Sequence, residues 1–303
     1  MKKLDLAAGS SDAGVRLDRF IAARGGISRG LARRALDAGG VFLDGRRCRV
    51  AGRLLRKGQR VVVHLEEGGR TPGPAEALPP ERLLYADAHL VAVDKPAGTP
   101  AQATLTTDRG TLPERVAALV GTEVTVVHRL DRETSGVTVL ARTREAAAAL
   151  SAAFRDGEPE KTYLALCARA PEPPEGRLDA PLGKDPGRPG LRRVDPRGDP
   201  AATRYRTLRA SRLAALVEAR PETGRTHQIR VHLAHLGAPL LGDARYGGPR
   251  RIGETAIPRV MLHAARLEIL HPVTRVRMVF EAPVPADLAE AERVLLGQGP
   301  ESG

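Results

Sequence analysis

Apolar positions fall into two patterns along the chain. Near the N-terminus, Leu17, Phe20, Ile21 and then Leu31, Ala35 and Leu36 recur at three- and four-residue intervals, predicting two short amphipathic helices, with Ser28 placed to cap the second. Val41 to Leu43 is a short apolar run broken by Asp44-Gly45, the signal of a tight hairpin, and Gln59 to Leu65 alternates as a strand. The segment GGRTPGPAEALPP at 68–80 has no apolar period and is too rich in Gly and Pro to continue a helix or a central strand. It predicts a linker between a first domain over 1–67 and a second over 81–295, leaving 296–303 as a tail.

Beyond the linker the two-residue period dominates. Leu83 to Tyr85, Leu90 to Val93, Val124 to Val127, Val137 to Leu140, Lys161 to Cys167, 203–208, 213–219, 260–270 and 275–281 read as strands. Helices are predicted near 111–120, over 144–155, where Leu150 and Phe154 lie four apart, and over Gln228 to Leu236. Residues 171–200 read as an irregular Pro- and Gly-rich excursion. Strands with interspersed helices and few strand–helix–strand repeats predict an α+β domain around a mixed sheet.

Charge sharpens this picture. The 303 residues hold 48 Lys and Arg against 36 Asp and Glu, a net charge of +12, and residues 1–67 contribute 15 basic and 7 acidic side chains, or +8 of that excess. A polyanion such as RNA is the natural partner, and Arg29, Arg33 and Arg34 on the second helix are candidates to meet it, or else a solvated charged face. Four Tyr, four Phe and no Trp are too few for a multi-aromatic single-strand platform. No apolar run is long enough for a membrane span, and the basic Met1-Lys2-Lys3 is followed by Asp5 and Asp12 rather than an apolar core. With only Cys48 and Cys167, neither a disulfide framework nor a cysteine zinc cluster is expected. These features predict a cytoplasmic monomer.

The chemistry-bearing segment is HRLDRETSG at 128–136, a polar loop between two β-rich runs. Asp131 stands there between Arg129 and Arg132, as a nucleophile, as a general base, or simply as an ion-pair partner of the arginines. His227, His232 and His235 have neither the spacing nor the acidic companion of a hydrolytic zinc motif, and no glycine pattern matches a nucleotide-binding loop, so neither metal nor cofactor is expected.

Residues 17–47, LDRFIAARGGISRGLARRALDAGGVFLDGRR, resemble the S4 RNA-binding module, and HRLDRETSG resembles the defining motif of the RluA-type RNA pseudouridine synthases. DKPAGTP at 94–100, KTYLAL at 161–166, ETGRTHQIRVHLAHLGAPLLGDARYG at 222–247 and HPVTRVRMVFEAPVP at 271–285 are similar to further segments of that family, in the same order. The loop 99–104 departs from the family's usual apolar stretch and His-Pro. The resemblance implies a cofactor-free isomerase that turns uridine into pseudouridine in structured RNA, with 23S ribosomal RNA favoured over tRNA by the S4 module. It further implies that Asp131 is the catalytic aspartate, that Tyr163 stacks on the target uracil and that Arg230 pairs with Asp131. Arg129 would fill the gap left by the flipped base, and Ile229 would pack beneath it.

Isomerisation breaks a glycosidic bond and remakes it at C5, which calls for one carboxylate beside the sugar and no redox chemistry. A glycosidase would need a second carboxylate, for which Glu133 is badly placed. A non-catalytic RNA-binding protein would have no use for Asp131, Tyr163 and Arg230 together.

Overall fold

A computed structural model describes residues 2–65, 76–106 and 109–297. Most of the expected linker, residues 68–75, and most of the expected tail, 298–303, lie outside the described residues. The chain forms two compact units, Met1–Leu78 with Pro100–Thr122, and Pro79–Thr99 with Glu123–Gly303. The segment 100–122, which the sequence pattern assigns to the second domain, therefore groups with the first.

In the first unit, β1 (Lys2–Ala7), α1 (Leu17–Gly25), α2 (Arg29–Ala38), β2 (Val41–Leu43), β3 (Arg46–Arg47) and β4 (Arg60–Leu65) follow in order. The strands make an antiparallel sheet of order β1-β4-β2-β3. The Ser28 hydroxyl accepts from the Leu31 amide at 3.1 Å, and Gly39, left-handed, ends α2. Asp44 and Gly45, at φ 50° and 78°, make the tight β2–β3 turn whose double left-handed geometry matches strand twist. Leu17, Phe20, Ile21 and Leu36 close the core against Val61 and Val63. The sequence pattern misses β1, because its half-buried alternation in KKLDLA has no helix or turn signal beside it; β4 supplies the partner, from Lys2↔Leu65 to Ala7↔Arg60. The helix α3 (Leu112–Val120) also belongs to this unit.

Asp18 is the organising charge of this unit. Its side chain is fully buried and accepts from Nε of Arg16 at 3.2 Å, of Arg29 at 3.0 Å and of Arg33 at 3.1 Å. Burial alone would raise this carboxyl, but hydrogen bonds from the three guanidinium groups outweigh it and hold it well below the usual carboxylate range. Arg29 and Arg33 thus hold α2 to α1 as well as reaching solvent, whereas Arg34 is exposed.

The second unit contains β5 (Leu83–Ala86), β6 (Leu90–Lys95), β7 (Thr125–Val126), β8 (Ser135–Ala141), α4 (Arg144–Asp156), β9 (Glu160–Cys167), β10 (Glu175–Asp179), β11 (Leu182–Lys184) and β12 (Arg192–Val194). Then follow β13 (Ala202–Ala210), β14 (Ala215–Pro221), α5 (Gln228–His235), β15 (Arg251–Ile252), β16 (Thr255–Ala256), β17 (Leu262–Leu270), β18 (Arg277–Glu281) and α6 (Ala286–Leu296). Ten strands form one mixed sheet of order β10-β13-β14-β9-β17-β8-β6-β5, with β18 on β17 and β7 on β8. The fold is α+β, with β17 and β8 parallel and their neighbours antiparallel. Gly136 permits that parallel junction: it sits at φ +114°, and a Cβ there would come within 2.2 Å of the Ala264 carbonyl oxygen.

Two expectations are corrected here. The excursion 171–200 holds β10, β11 and β12, short strands whose Pro and Gly neighbours hide their period. The end of the chain holds α6, which buries Leu288, Ala291 and Leu295 against Leu166 and Leu216 and extends one residue past the expected boundary at 295. Among the described residues no helix is long and apolar enough to cross a membrane.

Candidate active site

The loop 128–134 leaves β7 and enters β8, the strand that joins β6 to β17 near the middle of the sheet. Its first residue is anchored by His128, whose Nε2 accepts from the Val139 amide at 2.9 Å while the ring stacks on Phe154 at 4.2 Å. Burial, with a smaller contribution from the charge of Lys161, pushes His128 down to about 3, so it is neutral and serves as an acceptor. The Thr134 amide donates to the Asp131 carbonyl at 3.1 Å and closes the turn.

A second clamp comes from the loop after β6. Lys95 is fully buried, and its Nζ donates to the carbonyls of Pro96, Thr99 and Arg132 at 3.2, 3.1 and 3.1 Å. The Gly98 amide donates to the Arg132 carbonyl at 2.7 Å, and Arg132 Nε returns a bond to the Gly98 carbonyl at 3.0 Å. One ammonium therefore ties the 96–99 loop to the Asp131 loop. Burial pushes Lys95 down to about 7, partly opposed by the charges of Asp131 and Glu133.

The opposite wall is α5. Gln228 fixes its start: its side-chain oxygen accepts from the Thr223 hydroxyl at 2.7 Å and the Arg225 amide at 2.9 Å, and its nitrogen donates to Ala202 and Thr203 of β13 at 2.9 and 3.0 Å. With that turn held, Arg230 faces Asp131. Its Nη1 donates to Asp131 Oδ2 at 2.9 Å, while Nε and Nη2 grip Asp243 Oδ2 and Oδ1 at 2.6 and 2.9 Å. The Arg230 guanidinium lies 5.0 Å from the centre of the Tyr246 ring. Burial would lower Arg230, but hydrogen bonding and charge from Asp243, reinforced by Asp131, hold it above its ordinary value. Asp243 and Arg230 are almost wholly buried, and Asp131 keeps a quarter of its side chain open to solvent. This is a fixed cation presenting a carboxylate to an opening, the geometry a nucleophile or base needs.

Tyr163 stands on β9, paired with Ala219 of β14 and Ala264 of β17, and packs with Ile229 in one apolar cluster. Burial, with the charge of Asp131, raises its phenol, which therefore stays protonated at neutral pH. Of the residues singled out in the sequence, the structure brings Asp131 and Arg230 into direct contact and sets Tyr163 and Ile229 together beside them. Arg129 is exposed on the same loop as Asp131. Arg29, Arg33 and Arg34 belong to the other unit.

Asp243 and Tyr246 carry part of the site without having been assigned a role from sequence, although both lie in the quoted stretch GDARYG. The histidines separate into individual structural tasks. His232 bonds to Thr203 and Ala180, both at 2.9 Å, His263 to Ser135 at 3.0 Å and Ala282 at 3.2 Å, and His271 to Asp87 at 2.9 Å. Among the described residues no group of three or more His, Cys, Asp or Glu is placed to hold a metal ion.

The second unit is thus a mixed-sheet fold whose loop carboxylate, Asp131, is held by an arginine, and the first is a small helical unit with a four-stranded sheet. Residues 89–235 match the RNA pseudouridylate synthase family and residues 15–61 match the S4 domain. The chain is 41% identical to an RNA pseudouridine synthase of Chloroflexus aurantiacus, over 90% of this chain and 87% of that one. It is 34% identical to ribosomal large subunit pseudouridine synthase C of Vibrio cholerae, over 92% of each chain. It is also 37% identical to ribosomal large subunit pseudouridine synthase D of Xanthomonas campestris, over 84% of this chain and 80% of that one. Among solved structures, human RNA pseudouridylate synthase domain containing 4 superposes with a TM-score of 0.59 at 27% identity, covering 71% of this chain and 93% of that one. The chain belongs to the RluA-type RNA pseudouridine synthase family and carries an N-terminal S4 domain. It is an isomerase that acts on RNA.

Proposed function

We propose that the chain isomerises specific uridines in 23S ribosomal RNA, with Asp131 as the single catalytic carboxylate. The observation that carries this reading is Asp131 Oδ2 held at 2.9 Å by a guanidinium that Asp243 itself locks in place. The carboxylate attacks C1′ or removes the 2′ proton; either route frees the uracil to turn and rejoin through C5. A uracil stacked in RNA is out of reach, so the base is flipped into the site, with Arg129 entering the gap. Tyr163 then stacks on the flipped ring, and Ile229 packs beneath it. The ribosomal target is supported by the Vibrio and Xanthomonas relatives, named for the large ribosomal subunit. Carbodiimide-dependent primer extension on 23S RNA from a strain lacking the gene should lose at least one pseudouridine stop, restored by the wild-type gene and not by Asp131→Asn. An unchanged 23S map would remove the ribosomal target.

Tyr163→Phe keeps the ring and should bind substrate RNA as wild type does. Tyr163→Ala should weaken binding by about 1–3 kcal/mol, the worth of one base–aromatic stack. Equal affinities for the alanine variant and wild type, measured by filter binding, would deny Tyr163 the stacking role. Slow release of C5 tritium by the phenylalanine variant would give the hydroxyl a part in relaying that proton.

In the S4 domain the arginines should separate by role. Arg34→Ala should leave the melting temperature unchanged and lower the slope of log affinity against log salt by about 0.7–0.9, one phosphate contact. Arg33→Ala should in addition destabilise the domain, since it removes one of the three guanidinium donors to buried Asp18. A salt slope unchanged in Arg34→Ala would place that side chain outside the RNA contact.

A further inference from the structure

His227 has no place in the chemistry above, yet its imidazole faces the reacting carboxylate. It opens α5 with left-handed backbone angles, φ 60° and ψ 18°, an arrangement uncommon for a residue other than glycine and one that concentrates at functional sites. Its Nε2 lies 3.9 Å from Asp131 Oδ2, and its side chain is only 11% exposed. Its other nitrogen, Nδ1, is 2.7 Å from the Tyr246 hydroxyl.

The hydrogen-bond partners of Tyr246 bear on which nitrogen carries the proton. The Arg192 amide donates to the Tyr246 oxygen at 3.0 Å, so the phenol proton is free to go to His227 Nδ1. Burial raises the Tyr246 phenol, which keeps that proton in place. With that proton given to Nδ1, Nδ1 is the acceptor and Nε2 bears the hydrogen. Burial is also the main cause that pushes His227 down to about 4, against the opposing charge of Asp131, so the ring is neutral at physiological pH. A neutral Nε2–H thus points toward Asp131 Oδ2, about 1 Å beyond hydrogen-bond length, a gap of the size that closes when substrate tightens a site.

Two donors now converge on one oxygen. Arg230 Nη1 binds Oδ2 and His227 Nε2 stands 3.9 Å from the same atom. We propose that His227, held by Tyr246 as the Nε2–H tautomer, is a positioning residue that joins Arg230 in holding Asp131 Oδ2, so that Oδ1 is the oxygen presented to the ribose. The proposal rests on Asp131 being the catalytic carboxylate. Its contribution is orientation: a carboxylate held through one oxygen by two donors cannot swing about its side-chain axis, and the lone pairs of Oδ1 aim at C1′ or at the 2′ hydrogen. No proton leaves His227 in this scheme.

The test compares His227→Ala, His227→Gln and Tyr246→Phe in full-length protein, with tritium release from 5-³H-uridine RNA under saturating and limiting substrate. His227→Ala should lose about 10- to 100-fold in kcat, the worth of one hydrogen bond to a charged group, with KM for RNA within about threefold of wild type. His227→Gln, whose amide N–H can stand where Nε2–H stood, should recover part of that loss. Tyr246→Phe should fall between, because the ring can then take either tautomer. Long-range ¹H–¹⁵N spectra of histidine-labelled wild-type protein should show His227 neutral and protonated on Nε2 at pH 7, a readout that needs no variant to fold. A His227→Ala kcat within about threefold of wild type, no difference between the alanine and glutamine variants, or an Nδ1–H tautomer would each overturn the proposal. Asp131→Asn is assayed alongside: full activity there would instead overturn the reading of the site on which the proposal stands.

Discussion

Asp131→Asn is expected to abolish pseudouridine formation while leaving the fold and the affinity for RNA unchanged. The substitution keeps the volume and keeps an oxygen able to accept from Arg230 Nη1, so the contact at 2.9 Å survives. It removes the negative charge and the nucleophilic lone pairs, which no neighbour replaces. Glu133 is the nearest alternative carboxylate in sequence, but it lies within the Asp131–Thr134 turn, where its carbonyl accepts from Arg259 at 3.4 Å. Loss of the residue that forms or triggers the intermediate costs about 10⁴-fold or more in kcat. Tritium release from 5-³H-uridine RNA, read beside filter binding and a melting curve, checks all three expectations. Turnover within about tenfold of wild type would sink the assignment.

Local signals made five of the helices, the hairpin and most of the sheet legible in the sequence. Ser28 caps α2 where its position predicts, and Asp44-Gly45 turns the chain between β2 and β3. What escaped was set by partners distant in the chain. Strand β1 is a strand because β4, more than fifty residues away, pairs with all six of its residues. The strands β10 to β12 carry Pro and Gly at their ends, so their ladders with β13 and with each other are visible only in the fold. The helix α6 follows Pro285 at the edge of a segment whose strand pattern dominates the reading, and its apolar face matters only once Leu166 and Leu216 are there to meet it.

The site shows the same division. Asp131, Tyr163, Arg230 and Ile229 stand in segments that resemble the family's motifs, and that resemblance is what singled them out. The support around them does not announce itself: a buried lysine bonding three carbonyls, an aspartate thirteen residues beyond Arg230, and a histidine whose tautomer depends on a tyrosine hydroxyl and a backbone amide. The S4 arginines make the converse point. Their spacing on α2 suggests a face for RNA, while Asp18, eleven and fifteen residues upstream of Arg29 and Arg33, binds both. A basic residue on a helix can therefore serve the fold and the ligand at once, and only the pairing separates the shares.

Arg230→Met should fail twice, in turnover and in stability. The methionine fills similar space but offers no donor, so Asp131 Oδ2 loses its partner at 2.9 Å and Asp243, 1% exposed, loses bonds at 2.6 and 2.9 Å. Asp243 is the costlier loss, since its side chain is 1% exposed and Arg230 is its ion-pair partner; breaking a buried pair in this way costs about 3–5 kcal/mol. Asp131, a quarter open to solvent, can rehydrate, so its loss is one of orientation and shows in kcat. Arg230→Lys should recover only part of either, because one ammonium cannot hold two carboxylates in a three-donor fork. The two effects can be separated by adding Asp243→Asn to Arg230→Met. Removing the stranded charge should return much of the melting temperature and none of the turnover, because the double variant still lacks the guanidinium that bonds Asp131 Oδ2 at 2.9 Å. A double variant that regained activity along with stability would show that Arg230 serves only to neutralise Asp243, and the carboxylate at the centre of the site would then need no cation to do its work.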